Sequence, residues 1–522
     1  MPHLIDVAYC QLMMTHHNPD LGTATVNDPR PHAIVIGSGF GGLAAAVRLG
    51  ARGYRVTILE RLDQPGGRAR RFRQDGFTFD AGPTIITAPF ILEELWTLCG
   101  RVMADDIALV PLDPFYTIRY DNGDVFRPSA DTQRMRQEIG RLNPSDVEGY
   151  ERYLQESERC FEAGFINLID TPVDTVPRMM AVMPSLVRRR ADRSVFKLAS
   201  KYVADRRLRL ALSFHPLFIG GNPLRTTGMM SLISYLEKEY GVHYAMGGTH
   251  ALVEGLAKLI QSQGNSILTG ADVDEITFEG NAATGVRLAD GMTIPSDIVV
   301  SNADPGWTYT RLLRKRPAKR WTAKKIARSR HSMSLFVWYF GTNRTYGEVD
   351  HHTILMGPRY EHLLTDIFDR KILADDFSLY LYRPTKTDPG MAPPGCDSFY
   401  VLSPVPNLEA DIDWETAAEP YRKKLEAYLE QTLLPGLSNH VVSSKLLTPT
   451  AFKDDLLSIK GAAFGIEPTL FQLAWFRPHN KSEELDNLFM VGAGTHPGAG
   501  LPGVISSAKI LDKVVPHASQ FA

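Results

Sequence analysis

Cysteine is scarce. The 522 residues hold four (Cys10, Cys99, Cys160, Cys396), with no C-x-x-C pair. That excludes a disulfide framework and a cysteine metal site, and it fits a reducing compartment. Net charge is nearly absent too: 57 Lys and Arg oppose 59 Asp and Glu, for a formal −2. No basic surplus is available for a phosphate backbone, so nucleic acid is not an expected partner. No run reaches the ~18 apolar residues that a membrane-spanning helix needs. Residues 1–30 have no basic start and no long apolar stretch, so they do not read as a secretory signal. They read as a disordered extension, with Met13 and Met14 as alternative starts. No metal is expected either. His351 and His352 are adjacent, and neighbours on a strand point to opposite sides. Neither a Ser/His/Asp arrangement nor a paired-carboxylate pattern can be read from spacing.

What is present is ordinary in bulk and specific in places. Hydrophobic residues make up 44% and charged residues 22%, values of a soluble globular protein. The length exceeds one comfortable hydrophobic core, so two or three structural regions are expected.

The first specific signal is "HAIVIGSGFGGLAAAVRLGARGYRVTILE", residues 32–60. Ala33 to Ile36 reads as a buried parallel strand. Gly37, Gly39 and Gly42 form G-x-G-x-x-G. An alanine-rich helix follows over Leu43 to Leu49, and a second strand runs from Arg55 to Leu59. Glu60 ends that strand, near the ~20-residue spacing expected of an acid that binds a ribose 2′-OH. Gly37 permits the tight turn, Gly39 lets a pyrophosphate approach the backbone, and Gly42 lets helix and strand pack closely. The helix N-terminus offers unpaired N–H groups to the phosphates. Glu60 would repel a 2′-phosphate, so NADP is disfavoured.

The second signal lies near the far end. "GAGTHPGAGLPGV", residues 492–504, holds five glycines and two prolines. Such a stretch either makes a flexible turn or brings backbone close to a ligand. Together with Gly66-Gly67-Arg68, "GFTFDAGPT" (76–84), "NPSDVEGY" (143–150), "SFHPLFIGGNP" (213–223), "YAMGGTHALVEGL" (244–256), "IVVSNAD" (298–304) and "AWFRPHN" (474–480), it resembles the bacterial phytoene desaturases. These are the carotenoid branch of the FAD-dependent amine oxidase and phytoene desaturase superfamily. The resemblance spans roughly residues 31–515.

The resemblance implies an α/β fold. It would hold a Rossmann-like FAD-binding domain of the glutathione-reductase and amine-oxidase type, a mixed-sheet substrate domain and a helical, membrane-facing subdomain. The FAD-binding part is expected over 31–110, 240–310 and 455–522. The helical subdomain is expected over 140–235, and the substrate domain over 111–139 and 311–454. Gly67 and Arg68 would lie near the pyrophosphate and flavin, and Val273 would contact the adenine through its backbone. The loop containing Gly494 would close the flavin site. Gly503 and Val504 would begin a helix beside the isoalloxazine ring. Arg71 and Arg73 read as solvated.

The implied reaction is FAD-dependent, stepwise dehydrogenation of phytoene to more conjugated carotenes, neurosporene or lycopene. Oxygen or a quinone would reoxidise the flavin. No proton acceptor can be named from the residues; His496, beside the flavin loop, and Arg477, in "AWFRPHN", are the candidate catalytic groups near the implied reaction. Phytoene and its desaturation intermediates reside in lipid, so a peripheral position on the cytoplasmic side of the cell membrane is expected. Residues 176–202 are the docking candidate, through Met179, Met180, Met183, Leu186 and Val187 and through Arg188, Arg189, Arg190 and Arg193. A related carotenoid desaturase or isomerase, another flavin oxidase, and a non-catalytic lipid-binding protein of the Rab GDP-dissociation inhibitor type share parts of the pattern. Bound flavin separates the last from the others.

Overall fold

The computed structural model describes residues 28–188 and 191–521. Most of the N-terminal extension, Arg189 and Arg190, and the side chain of Leu186 lie outside the described residues.

A five-stranded parallel sheet carries the nucleotide-type motif. Its strand order is Leu488–Met490, Ile298–Ser301, His32–Ile36, Arg55–Leu59, Ser266–Leu268. His32–Ile36 is buried at every position, as its unbroken apolar pattern requires. The chain leaves this central strand toward one neighbour and later returns on its other side. The carboxyl end of His32–Ile36 therefore opens at a reversal of strand order, where open α/β sheets hold their ligands. The helix Phe40–Ala51 follows directly and is longer at both ends than its alanine run suggests. The helix Thr249–Ser262 and the C-terminal helix Leu501–Lys509 pack against it. A three-stranded antiparallel sheet, Val273–Glu279, Ala282–Leu288 and Thr293–Pro295, lies beside this assembly.

A seven-stranded mixed sheet forms the second layer, around Ser334–Thr342 and Asp397–Val405. Alternation sorts its faces. Phe336, Trp338 and Phe340 cluster with Trp414, Tyr421 and Leu425 of the helix Trp414–Thr432. Leu335, Val337 and Tyr339 join the opposite cluster, on the side of the central cavity. Both faces are covered, which explains why Ser334–Thr342 is buried throughout.

Residues 147–240 are mainly helical, including Val147–Phe161, Val176–Arg188, Val195–Tyr202 and Leu232–Tyr240. Among the described residues, no helix is long and apolar enough to cross a membrane.

Candidate functional site

One cavity of about 520 Å³ runs between the parallel sheet, the mixed sheet and the helical segment. Its first end is built from the glycine turn. Gly37 has φ +88°, a conformation open to glycine at little cost. Gly39 is the N-cap of Phe40–Ala51, with no acid in the first turn and no side chain closing the cap. The helix's free N–H groups therefore face the cavity, ready for an anion. A Cβ on Gly42 would fall inside the carbonyl oxygen of Gly37, so this third glycine serves close helix–strand packing and does not line the cavity.

Glu60 is buried and anchored. Its Oε2 accepts from the Ser38 backbone N–H at 2.8 Å and the Ser38 hydroxyl at 2.6 Å, while Oε1 accepts from the Leu62 N–H at 2.9 Å. A carboxylate has about four lone-pair sites, so capacity remains for a ribose hydroxyl. Gly37, Gly39, Glu60, Gly67, Arg68, Val273, Gly503 and Val504 all line the cavity. Arg68 reaches across to donate to the Ala463 carbonyl at 2.8 Å and Ser458 Oγ at 2.6 Å. Burial pulls its guanidinium below the usual arginine range, and Asp304 opposes that shift.

Four expectations need correction. Gly494 does not line the cavity. A Cβ there would collide with the Pro305 ring, so this glycine permits loop-to-loop packing. The C-terminal helix starts at Leu501, with Gly500 as N-cap and Pro502 in its first turn, ahead of Gly503 and Val504. Proline is well placed there because it lacks a hydrogen that the first turn leaves unpaired. Arg477 is fully buried outside the cavity. It donates to four backbone carbonyls: Ala493 at 2.6 Å, Thr495 at 3.2 Å, Ile466 at 3.3 Å and Gln472 at 3.4 Å. Burial pulls it down to about 10, and it acts as a clamp on the glycine-rich loop. His496 is also buried away from the cavity, with Nε2 3.0 Å from the Thr171 carbonyl.

Burial pushes His496 down to about 4. The unfolded value is higher, so this neutral imidazole contributes stability that is complete above about 6.5 and lost as pH falls toward 4. Thermal unfolding across that window should show the loss. His496→Gln keeps a donor for Thr171 and should remove up to about 3 kcal/mol of the pH dependence. A variant curve as steep as wild type would assign the acid sensitivity to other groups.

Some lining residues lie in stretches the sequence singles out without giving them a role. Asn302 follows the strand Ile298–Ser301 and lines the cavity, with Nδ2 3.4 Å from the Gly37 carbonyl. Cβ atoms on Gly41 or Gly492 would crowd its side-chain oxygen, so three separated segments meet at one asparagine. "GFTFDAGPT" links the two layers. Thr84 Oγ1 lies 2.8 Å from Tyr380 Oη and 2.5 Å from Tyr400 Oη, at the cavity wall. Asp80 accepts from Tyr382 at 2.9 Å, and burial pushes its carboxyl up to about 6. His351 and His352 bond Thr387 and Tyr380. No cluster of three metal-ligating side chains occurs among the described residues.

The model of the flavin-containing amine oxidoreductases matches residues 40–510. The chain belongs to that family. It is 51% identical over 491 residues to a neurosporene-forming phytoene desaturase of Cereibacter sphaeroides, covering 93% of this chain and 95% of that protein. It is 46% identical over 477 residues to a lycopene-forming phytoene desaturase of Pseudescherichia vulneris, covering 91% and 97%. Within the family it is a bacterial-type phytoene desaturase relative. An oxidoreductase from Methanosarcina mazei shares the fold at 17% identity, with a TM-score of 0.61 over 92% of this chain and all of that one. The cofactor is FAD. The glycine turn, Glu60 and the C-terminal loop fit it: anion-ready N–H groups, a carboxylate with spare acceptor capacity, and glycines lining the wall.

Proposed function

We propose that this protein desaturates phytoene, using FAD to form more conjugated carotenes, neurosporene or lycopene. The identity of about half the residues to named phytoene desaturases, across nearly the whole chain, carries the reading. The cavity agrees with it. Beyond the cofactor loops its walls are Phe165, Ile169, Leu217, Phe218, Ile354 and Leu379, suited to a hydrocarbon. A long polyene gains about 0.8 kcal/mol per buried CH₂ there. That binding has little directional content, so the walls must supply orientation by shape. FAD, when bound, supplies two-electron oxidation. The chain's part is to hold adjacent C–H bonds in place and exclude water. Incubating holoprotein with phytoene in liposomes should yield coloured products by chromatography without added nicotinamide. Strict dependence on NAD(P) would overturn this form of the reading. Oxygen or a quinone is the proposed acceptor, and anaerobic reactions with and without quinone separate the two.

The proposed setting is the cytoplasmic membrane face, with peripheral attachment. Met180, Val187 and Phe471 stand 63%, 65% and 74% exposed. The helix Val176–Arg188 packs beside Ala474–Phe476, and nearby Leu473 lines the cavity, so the apolar patch borders the cavity wall. Arg188 is exposed on the same helix, whereas Arg193 is half-buried. In vesicle flotation, the triple variant Met180→Glu, Val187→Glu, Phe471→Glu should bind at least about tenfold more weakly, since each inserted side chain is worth about 1.5 kcal/mol or more. FAD content should not change. Equal flotation would remove this patch as the docking surface.

A further inference from the structure

A buried polar triangle interrupts the hydrocarbon wall. Glu237 sits on the helix Leu232–Tyr240 and lines the cavity beside Leu232, Ile233 and Leu236. His215 begins the short helix His215–Ile219, whose Leu217, Phe218 and Ile219 line the same wall. Tyr116 immediately precedes Thr117–Tyr120 of the mixed sheet. The three side chains meet. Tyr116 Oη donates to Glu237 Oε2 at 2.9 Å, His215 Nε2 lies 3.1 Å from that oxygen, and Tyr116 Oη and His215 Nε2 are 3.0 Å apart. Relative exposures of 2% for Tyr116, 3% for His215 and 3% for Glu237 take all three out of bulk water.

Among the described residues, the other carboxyl oxygen, Glu237 Oε1, is buried without a hydrogen-bond partner, and so is His215 Nδ1. Among the described residues the only ion-pair partner of Glu237 is His215. The other titratable groups facing it are Tyr150 and Tyr153, which bring no positive charge. An unpaired carboxyl oxygen against apolar walls is costly in the resting fold. It becomes favourable when positive charge develops in the cavity, because low local polarity strengthens that attraction.

We propose that Glu237 is the proton acceptor of the desaturation and stabilises the positive charge that develops on the hydrocarbon, with Tyr116 and His215 as its positioning residues. The assignment rests on the reading of a hydrocarbon substrate given above. FAD, when bound, would supply the oxidation by taking up one hydrogen with its bonding electron pair, which would leave an electron-deficient substrate carbon. The neighbouring carbon gives its proton to ionised Glu237 through Oε1. The electron pair of that second C–H bond becomes the new carbon–carbon double bond. Tyr116 and His215 hold Oε2, which leaves Oε1 as the free acceptor of a residue that lines the cavity.

A binding experiment tests this apart from turnover. Wild-type and Glu237→Gln holoprotein are titrated with a long-chain isoprenoid tertiary amine, cationic at neutral pH, and with its neutral ether isostere. Tryptophan and flavin fluorescence report binding. Gln keeps an acceptor for Tyr116 and a similar shape. Wild type should prefer the cation by at least about tenfold, the scale of a hydrogen bond to a charged group in a buried site. Glu237→Gln should lose that preference while binding the ether within about twofold of wild type. Equal affinities of wild type for amine and ether would overturn the proposal even if the variant fails to fold. A variant that retains the preference would overturn it too. A parallel phytoene assay separates the two readings. A wild type that prefers the cation but leaves phytoene unchanged counts against the substrate, whereas one that converts phytoene without cation preference counts against Glu237 alone.

Discussion

Gly39→Val should emerge from purification folded and without flavin, with FAD affinity reduced by about a hundredfold. Gly39 has φ −64° and ψ 170°, values any residue adopts, so backbone strain is not the obstacle. The obstacle is space. A Cβ there stands 3.0 Å from Asn302 Nδ2, and the branched methyls of valine would extend toward the cavity that Gly39 lines. Forced overpacking of this kind costs up to about 3 kcal/mol. Gly39→Ala is the graded control, since one methyl requires only a small shift of Asn302. Visible absorbance of purified protein and FAD titration of apoprotein measure the effect, and circular dichroism checks folding. Wild-type affinity in a folded Gly39→Val protein would show that the pyrophosphate does not pass this turn.

Arg477→Met should destabilise the protein by about 3 kcal/mol or more and weaken FAD binding, without altering the shape of the pH–rate profile. The guanidinium satisfies carbonyls from Ile466, Gln472, Ala493 and Thr495. Methionine fills comparable space but donates nothing, so several buried acceptors lose their partner. Ala493 and Thr495 belong to the glycine-rich loop, and Ala493 lines the cavity. Loosening them loosens the cofactor's wall. Denaturant unfolding with FAD in excess gives the first number, and apoprotein titration gives the second. A variant with normal stability and normal FAD affinity but no turnover would place Arg477 in the chemistry and refute the clamp.

These two residues illustrate what the chain discloses before folding. Gly39 belongs to a motif whose physics is local: strand, turn, helix and acid follow one another, and each glycine has a steric reason to be there. Gly37, Gly39 and Glu60 therefore stand where their spacing puts them. Arg477 lies in "AWFRPHN" and His496 in the glycine-rich loop, which makes both candidates for the site from sequence. Proximity in sequence could not reveal which way they face, and both turn from the cavity toward backbone carbonyls. Asn480 does the same, donating to the carbonyls of Met490, His496 and Ser507. The stretch "AWFRPHN" thus holds a loop in shape. Asn302 and His215 fall inside "IVVSNAD" and "SFHPLFIGGNP", yet nothing local gives either a role, and Tyr116 and Glu237 lie outside every quoted stretch. Their partners lie 265 residues away for Asn302 and Gly37, and 121 for Tyr116 and Glu237, so only the packed chain joins them. The mixed sheet is more legible locally: "SLFVWYFG" (334–341) and "DSFYVLSPV" (397–405) are dense in strand-forming residues, and they pair along their length.

The parallel sheet also has a history in time. Its central strand, His32–Ile36, is translated long before its edge strand, Leu488–Met490. At synthesis rates of about 5–20 residues per second, the nascent chain waits on the order of half a minute to a minute and a half between them. During that interval Ile298–Ser301 lacks its outer neighbour, and the Phe40–Ala51 helix lacks the cover of Leu501–Lys509. The growing polypeptide leaves that apolar flank uncovered until Leu488–Met490 and Leu501–Lys509 have been made. The cavity lining supplied by residues 493–504 is the last part of its wall to be translated.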